Sequence, residues 1–353
     1  MKRAQPARAP YASCSIERDV ALSCFLFLHC AVLEGAGGKA FCAGGDVKAV
    51  WEEQSSGPEV TPSSIADAFF REEYALNAAI AGSPKPQISM WDGIVMGGGA
   101  GVSVHGAYRL ATEKVMFAMP ETNIGLFPDV GGSFFLSRLP GELGTYLGLT
   151  GERMYAADLL YCGLATHFAP SAMLPEVKQS LSACASVADV ETVLSHLNTS
   201  ADAAGTAAGS ALEARHAQID EAFRYDTIEA ILDHLAARPT DEFATATLKT
   251  LQKMSPTSMK LTLRLLREAR AEKEEEPLTS CLNREYRVVS RCVTPPRKDF
   301  FEGIRAALVD KDRNPKWEPG AAAAVDSSAI EEYFKTLGER ELAMPRLPGF
   351  SAP

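Results

Sequence analysis

Met96-Gly97-Gly98-Gly99-Ala100-Gly101 decides how this chain is read: an apolar end runs into a glycine turn, and residues 100–106 read as a helix. Glycine reaches backbone dihedrals closed to other residues and lets a ligand approach the main chain, so this turn can expose N–H groups. A helix that starts there aims its positive end at developing negative charge. Taken alone, a tight strand-to-helix turn with no ligand is the plainer reading. Rival motifs fail on spacing. A dinucleotide fingerprint would need glycine at the sixth position, but counting from Gly97 this is Val102 and from Gly99 it is Val104. A nucleophile elbow fails because Gly101-Val102-Ser103-Val104 is followed by His105, which leaves Ser103 as a helix-face serine. A Walker loop would need Lys and Ser or Thr after the last glycine, and neither is there.

Two more glycine-rich stretches flank the first. Lys39-Ala40-Phe41-Cys42-Ala43-Gly44-Gly45-Asp46 precedes it, and Met119-Pro120-Glu121-Thr122-Asn123-Ile124-Gly125-Leu126-Phe127-Pro128-Asp129-Val130-Gly131-Gly132 follows. The third places two carboxylates, Glu121 and Asp129, eight positions apart beside a turn. Each feature has a plain alternative. Glu121 reads as a surface acid, Asp129 as a capping acid for a helix over 133–139, and Asp46 as the cap of a helix over 47–53. His105 and His167 lie in apolar surroundings and read as core histidines or as supports behind a site rather than as general bases, and no cluster of His, Cys and acids has metal-ligand spacing. Read together, backbone donors and a carboxylate pair are the parts that stabilise an oxyanion and break an acyl bond.

At 353 residues the chain can bury a full core, and 46% apolar with 23% charged residues is ordinary for a soluble enzyme. A net charge of −10 argues against nucleic acid as the main partner, although a local basic patch can still hold a phosphorylated ligand. Eight scattered cysteines without CxxC pairs read as reduced thiols. The longest apolar run, residues 20–33, is fourteen residues long and broken by Ser23 and His29. That is shorter than the ~18 needed to cross a bilayer, so no membrane partner is expected. The first sixteen residues carry Lys2, Arg3 and Arg8 and no acid before Glu17, a weak transit-peptide signal.

The texture changes near residue 170. Before it, residues 30–34, 87–92, 108–111 and 115–118 read as strands, 66–80 as a helix and 54–64 as a polar loop. After it, six or seven helical segments follow. The clearest has Ser255 as N-cap, Pro256 at the first helical position and a Met259, Leu263, Leu266 stripe. Residues 198–210 read as a flexible connection, 267–276 as a solvated helix face, 317–328 as a linker and 330–337 as a last helix.

With these motifs the chain resembles the enoyl-CoA hydratase/isomerase (crotonase) superfamily, and within it the hydrolase branch. The resemblance runs from about Leu33 to the C-terminus. It includes Phe70-Arg71-Glu72-Glu73-Tyr74, Gly163-Leu164-Ala165-Thr166-His167-Phe168, Ser255-Pro256-Thr257-Ser258 and Asp310-Lys311-Asp312. Hydratases of the superfamily carry a water-activating glutamate where this chain has Gly101, and usually glycine where it has Asp129; the hydrolases have aspartate there. Glu121 matches the second glutamate of the superfamily. The resemblance implies an α/β fold, a spiral of ββα units with a helical C-terminal region. The expected divisions are an atypical N-terminus over 1–32 lacking the family's hairpin and helix, a core over 33–170, and a helical region over 171–353. It implies hydrolysis of the thioester of 3-hydroxyisobutyryl-CoA, a step of valine breakdown. A hydratase or isomerase of the same superfamily and a non-catalytic binding subunit remain the alternatives. By transfer, the N–H groups of Gly45 and Gly98 form the oxyanion hole. Glu121 acts on the carbonyl carbon as nucleophile or as base, Asp129 binds the 3-hydroxyl and assists proton transfer, and Glu73 lines the acyl pocket. Neither a metal nor a cofactor is expected beyond the coenzyme A of the substrate, and a homo-oligomer is left open. Valine breakdown places such a protein in the mitochondrion. The peroxisome is the alternative, although Phe350-Ser351-Ala352-Pro353 is not a Ser-Lys-Leu type of address.

Overall fold

The computed structural model describes residues 29–56, 65–197, 209–271 and 277–342. Its strands are β1 (Ala31–Glu34), β2 (Ala40–Cys42), β3 (Gln87–Trp91), β4 (Ile94–Met96), β5 (Tyr108–Ala111), β6 (Met116–Ala118) and β7 (His167–Phe168). They form two parallel sheets, one in the order β1-β3-β5-β7 and the other in the order β2-β4-β6. Each circuit of the chain gives one strand to each sheet and then a helix, because parallel neighbours need a crossover. Helices α1 (Val47–Ser56) and α2 (Ile65–Ala81) follow β2, α3 (Gly98–Val104) follows β4, and a 3-10 turn (Glu121–Ile124) follows β6. This is the spiral of ββα units.

The side-chain period of two sets the layers. Along β3, Ile88 and Met90 face a cluster with Leu110, Leu174, Val177 and Leu181. Trp91 faces the main core with Phe117, Tyr74 and Phe127. The chain continues through α4 (Gly132–Ser137), α5 (Leu143–Thr150) and α6 (Ala156–Tyr161). After β7 come α7 (Leu174–Ser182), α8 (Val187–Ser195), α9 (Ala211–Phe223), α10 (Ile228–Ala236) and α11 (Glu242–Leu251). Then follow α12 (Pro256–Ala271), α13 (Leu278–Cys292), α14 (Asp299–Ile304) and α15 (Ser327–Phe334). These nine helices among the described residues exceed the six or seven expected from the sequence. Helices α7 and α8 cover the outer face of the four-stranded sheet.

Several boundaries differ from the sequence reading. Helix α3 begins at Gly98, so the glycines lie inside its first turn, where their low helix propensity hid it. Helix α1 runs on to Ser56, where a loop from residue 54 was expected; residues 57–64 of that loop lie outside the described residues. Most of the 198–210 connection also lies outside them, and Ser210 caps α9 by accepting from Glu213 N. The cap of α12 is as expected: Ser255 Oγ accepts from Ser258 N at 3.0 Å. Arg267 is not merely solvated. Its guanidinium pairs with Glu142 at 2.9 Å and donates to the carbonyls of Phe223 and Tyr225, tying α12 to the α5 and α9 ends. The last helix starts at Ser327, before the expected 330, with Asp326 as its cap.

Candidate active site

The three glycine-rich stretches are the three strand exits of the β2-β4-β6 sheet. Because the sheet is parallel, its strands all end at the same edge, and ligands of open α/β sheets bind outside such ends. Strand β2 is bulged between Ala40 and Cys42, just before its exit. Bulges re-aim the chain that follows. The exit loop Ala43-Gly44-Gly45 then meets the β4 exit. A Cβ built on Gly98 would lie 3.2 Å from the Gly45 nitrogen. Gly98 is the first residue of α3, where a helix offers its N–H no acceptor. Gly97 turns the chain at φ +52 and Gly44 at φ +111, conformations that favour glycine. Asp46 caps α1, as expected, with Ala49 N donating to Oδ1 at 3.2 Å.

Helix α2 covers the β2 and β4 exits with one face. Phe69 lies against Gly45, Glu73 Oε1 against Gly98, and Asn77 Nδ2 beside Gly101, at spacings of four residues. One position along, Tyr74 is fully buried and its hydroxyl donates to Asp129 Oδ2 at 2.9 Å. A Cβ at Gly101 would fall 2.6 Å from Val130 Cβ and 3.0 Å from Asn77 Nδ2. The place where hydratases carry glutamate therefore has no room for a side chain.

The structure brings Glu73, Glu121 and Asp129 together with Gly98. A Cβ on Gly97 would sit 3.1 Å from Glu121 Oε1, and Glu121 and Asp129 are each only 5% exposed. Glu121 heads the 3-10 turn, whose carbonyl accepts from Leu126 N at 3.0 Å. Its Oε2 is buried with no hydrogen-bond partner among the described residues. Burial first, then the charge of Asp129, pushes the Glu121 carboxyl well above its ordinary value. Burial also raises Asp129, against the lowering effect of the Tyr74 hydrogen bond. Glu73 is raised by burial and then by Asp129. Glu121 and Asp129 are therefore not the surface and capping acids of the plainer readings. No side chain caps α4 at its N-cap, Gly131.

The turn bearing Asp129 is held from two sides. Val130 sits at φ +52, uncommon for a β-branched residue and costing on the order of 1–3 kcal/mol. His105 Nε2 lies 2.7 Å from the Val130 carbonyl, an acceptor only, so this nitrogen carries the proton. Burial lowers the His105 pKa to about 4, which keeps the ring neutral. On the other side Glu285, fully buried on α13, accepts from Gly131 N at 2.8 Å, Ser133 N at 2.9 Å and Ser133 Oγ at 2.5 Å. The sequence reading missed Tyr74 and Glu285 as parts of this site. The signal for Glu285 was an acid on the buried stripe Leu278, Leu282, Glu285, Val289 of one helix. Among the described residues no group of three His, Cys, Asp or Glu side chains is arranged to hold a metal ion. No helix of the described residues is long and apolar enough to cross a membrane.

The chain belongs to the enoyl-CoA hydratase/isomerase family, whose profile matches residues 27–334. It is 44% identical over 313 residues to the mitochondrial 3-hydroxyisobutyryl-CoA hydrolase of Rattus norvegicus, covering 88% of this chain and 78% of that one. The Homo sapiens protein of the same name is 42% identical with the same coverage. A probable 3-hydroxyisobutyryl-CoA hydrolase of Arabidopsis thaliana is 43% identical over 88% of this chain and 80% of its own. Among solved structures, an enoyl-CoA hydratase from Rhodobacter sphaeroides superposes with a TM-score of 0.80 at 33% identity, over 92% of this chain and 90% of that one. A carnitinyl-CoA dehydratase from Mycobacterium thermoresistibile gives 0.78 at 35% identity, over 90% and 86%.

Proposed function

We propose that this protein hydrolyses the thioester of 3-hydroxyisobutyryl-CoA to 3-hydroxyisobutyrate and coenzyme A. The observation that carries the reading is the exchange of acids: Asp129 is buried beside Glu121, while Gly101 has no room for the hydratase glutamate. The relatives named as hydrolases of this ester support it. In this reading the thioester oxygen lies between the Gly45 and Gly98 N–H groups. Each such donor contributes about 3 kcal/mol to the transition state. The unpartnered Oε2 of Glu121 faces the carbonyl carbon. Either it attacks to give a mixed anhydride, or it takes a proton from the attacking water. A single turnover in heavy-oxygen water tests for the anhydride: if water opens it at the Glu121 carbonyl, the label stays in the protein and the first product carries two unlabelled oxygens, whereas general-base attack always leaves one labelled oxygen in the product. Asp129 takes the 3-hydroxyl and assists the proton that ends on the departing thiolate. Glu73 bounds the acyl pocket. Coenzyme A enters only as part of the substrate, and the mitochondrion is the compartment the named animal relatives support.

Thiol release measured with 3-hydroxyisobutyryl-CoA, isobutyryl-CoA and crotonyl-CoA tests the reading. The expected order places the 3-hydroxyacyl ester first and shows no hydration of crotonyl-CoA. Hydration of crotonyl-CoA with no thiol from any 3-hydroxyacyl ester overturns it.

A further inference from the structure

The carboxylate of Glu285 and the acid Asp129 are joined by only one turn of chain. Glu285 arrives from α13, 152 residues away from Ser133, and receives three hydrogen bonds from the segment that follows Asp129. Gly132 N closes the same turn onto the Asp129 carbonyl at 2.7 Å. The Val130 carbonyl is taken by His105. Gly131 is wedged as well: a Cβ there would meet His105 Nε2 at 2.7 Å and Leu278 Cδ1 at 2.8 Å. The backbone that follows Asp129 thus has the Gly131 and Ser133 donors bound to Glu285, and the Asp129 and Val130 carbonyls bound by the turn itself and by His105 at the end of α3. The Asp129 side chain is fixed separately, by Tyr74. A wholly buried carboxylate spent on three donors of one active-site turn exceeds what a six-residue helix needs for capping.

We propose that Glu285 is a positioning residue for Asp129: it anchors the Gly131 and Ser133 N–H groups and so fixes the angle at which Asp129 presents its carboxyl to the substrate hydroxyl. The inference rests on the reading of Asp129 given above. Glutamine in place of Glu285 keeps the size and one acceptor, but sets an amide NH2 against an N–H donor of the turn. A displacement of about 1 Å of a reacting group costs on the order of 10²-fold in rate.

The test measures kcat and KM of wild type, Glu285→Gln, Asp129→Asn and the double variant on 3-hydroxyisobutyryl-CoA and isobutyryl-CoA. Glu285→Gln is expected to lower kcat for the hydroxy ester by roughly 10- to 100-fold with KM nearly unchanged, and to affect isobutyryl-CoA far less. It is expected to add nothing in the Asp129→Asn background, because a residue acting through Asp129 has nothing left to position. An equal loss on both esters, or a full additional loss in the double variant, overturns the inference while leaving the Asp129 reading in place. If Asp129→Asn keeps the wild-type preference for the hydroxy ester, the Asp129 reading fails and takes this inference with it. Should Glu285→Gln not fold, Ser133→Ala removes one of the three donors; a roughly threefold loss of hydroxy-ester preference supports the inference, and an unchanged preference overturns it.

Discussion

In the four-stranded sheet, β1, β3 and β5 leave into short links to the next strand of the other sheet; in the three-stranded sheet, β2, β4 and β6 leave into helical turns. The links bind one another. Thr112 Oγ1 donates to Asp92 Oδ1 at 2.8 Å, Lys114 pairs with Asp92, and Ile94 N reaches the Lys39 carbonyl. The helical exits instead set Glu73 against Gly98 and Glu121 against Gly97, with the charge of Asp129 beside both carboxyls, and leave Glu121 Oε2 without a partner among the described residues. Polar groups that satisfy one another build the fold; buried ones held apart are free to act on a ligand. On the function proposed above, equivalent strand ends, one sheet apart, are divided between stability and chemistry.

The largest expected break in this division is Gly101→Glu. Its side chain would drive into Val130 and displace the Asp129 turn. Thiol release should fall by roughly 10³-fold with no gain of crotonyl-CoA hydration, and stability by about 1–3 kcal/mol in denaturant melts. Next is Asp129→Asn, expected to cost about 10²-fold on 3-hydroxyacyl esters and much less on plain acyl esters. A uniform loss would make Asp129 a proton-transfer partner of Glu121 alone. In the other sheet, Gly93→Ala inverts the pattern. Gly93 has φ +105, and its Cβ would meet the Lys39 carbonyl oxygen at 2.5 Å. About 1–3 kcal/mol of stability should be lost with kcat unchanged.

A second stability effect concerns pH. Burial and Asp129 raise Glu73 to about 8, far above the value of roughly 4 in an unfolded chain. The folded state therefore keeps a proton that the unfolded state has released, and stability falls as pH rises between these values. Glu73→Gln removes this penalty, so its melting temperature relative to wild type should rise steadily from pH 5 to pH 8. An unchanged difference would mean that Glu73 ionises freely in the fold.

Local order made part of this legible in the sequence. Residues 108–111 and the Ser255 cap were readable because strand alternation and capping act over a few positions. Glu121 and Asp129 stood out through their Pro and Gly neighbours and the family resemblance. What could not be read is what the fold brings from afar. Tyr74 lies 55 residues from Asp129, and Glu285 lies 154 from Gly131. Arg267 looked like part of a charged run and is instead a clamp on four partners, the Glu142 and Asp226 carboxylates and the Phe223 and Tyr225 carbonyls. Nor does a glycine run by itself disclose that three such runs leave one sheet edge. That follows from strand order, which no local pattern encodes.

On the proposed function, the exits of the three-stranded sheet form a hydrolytic site worked by Glu121. Thiol release from 3-hydroxyisobutyryl-CoA by Glu121→Gln, with binding of the intact ester measured in parallel, tests it most directly. Turnover is expected to fall by at least about 10³-fold while the dissociation constant stays within a few-fold of wild type, since the lost contact acts on the carbonyl in the transition state. Thiol release near the wild-type rate would contradict it.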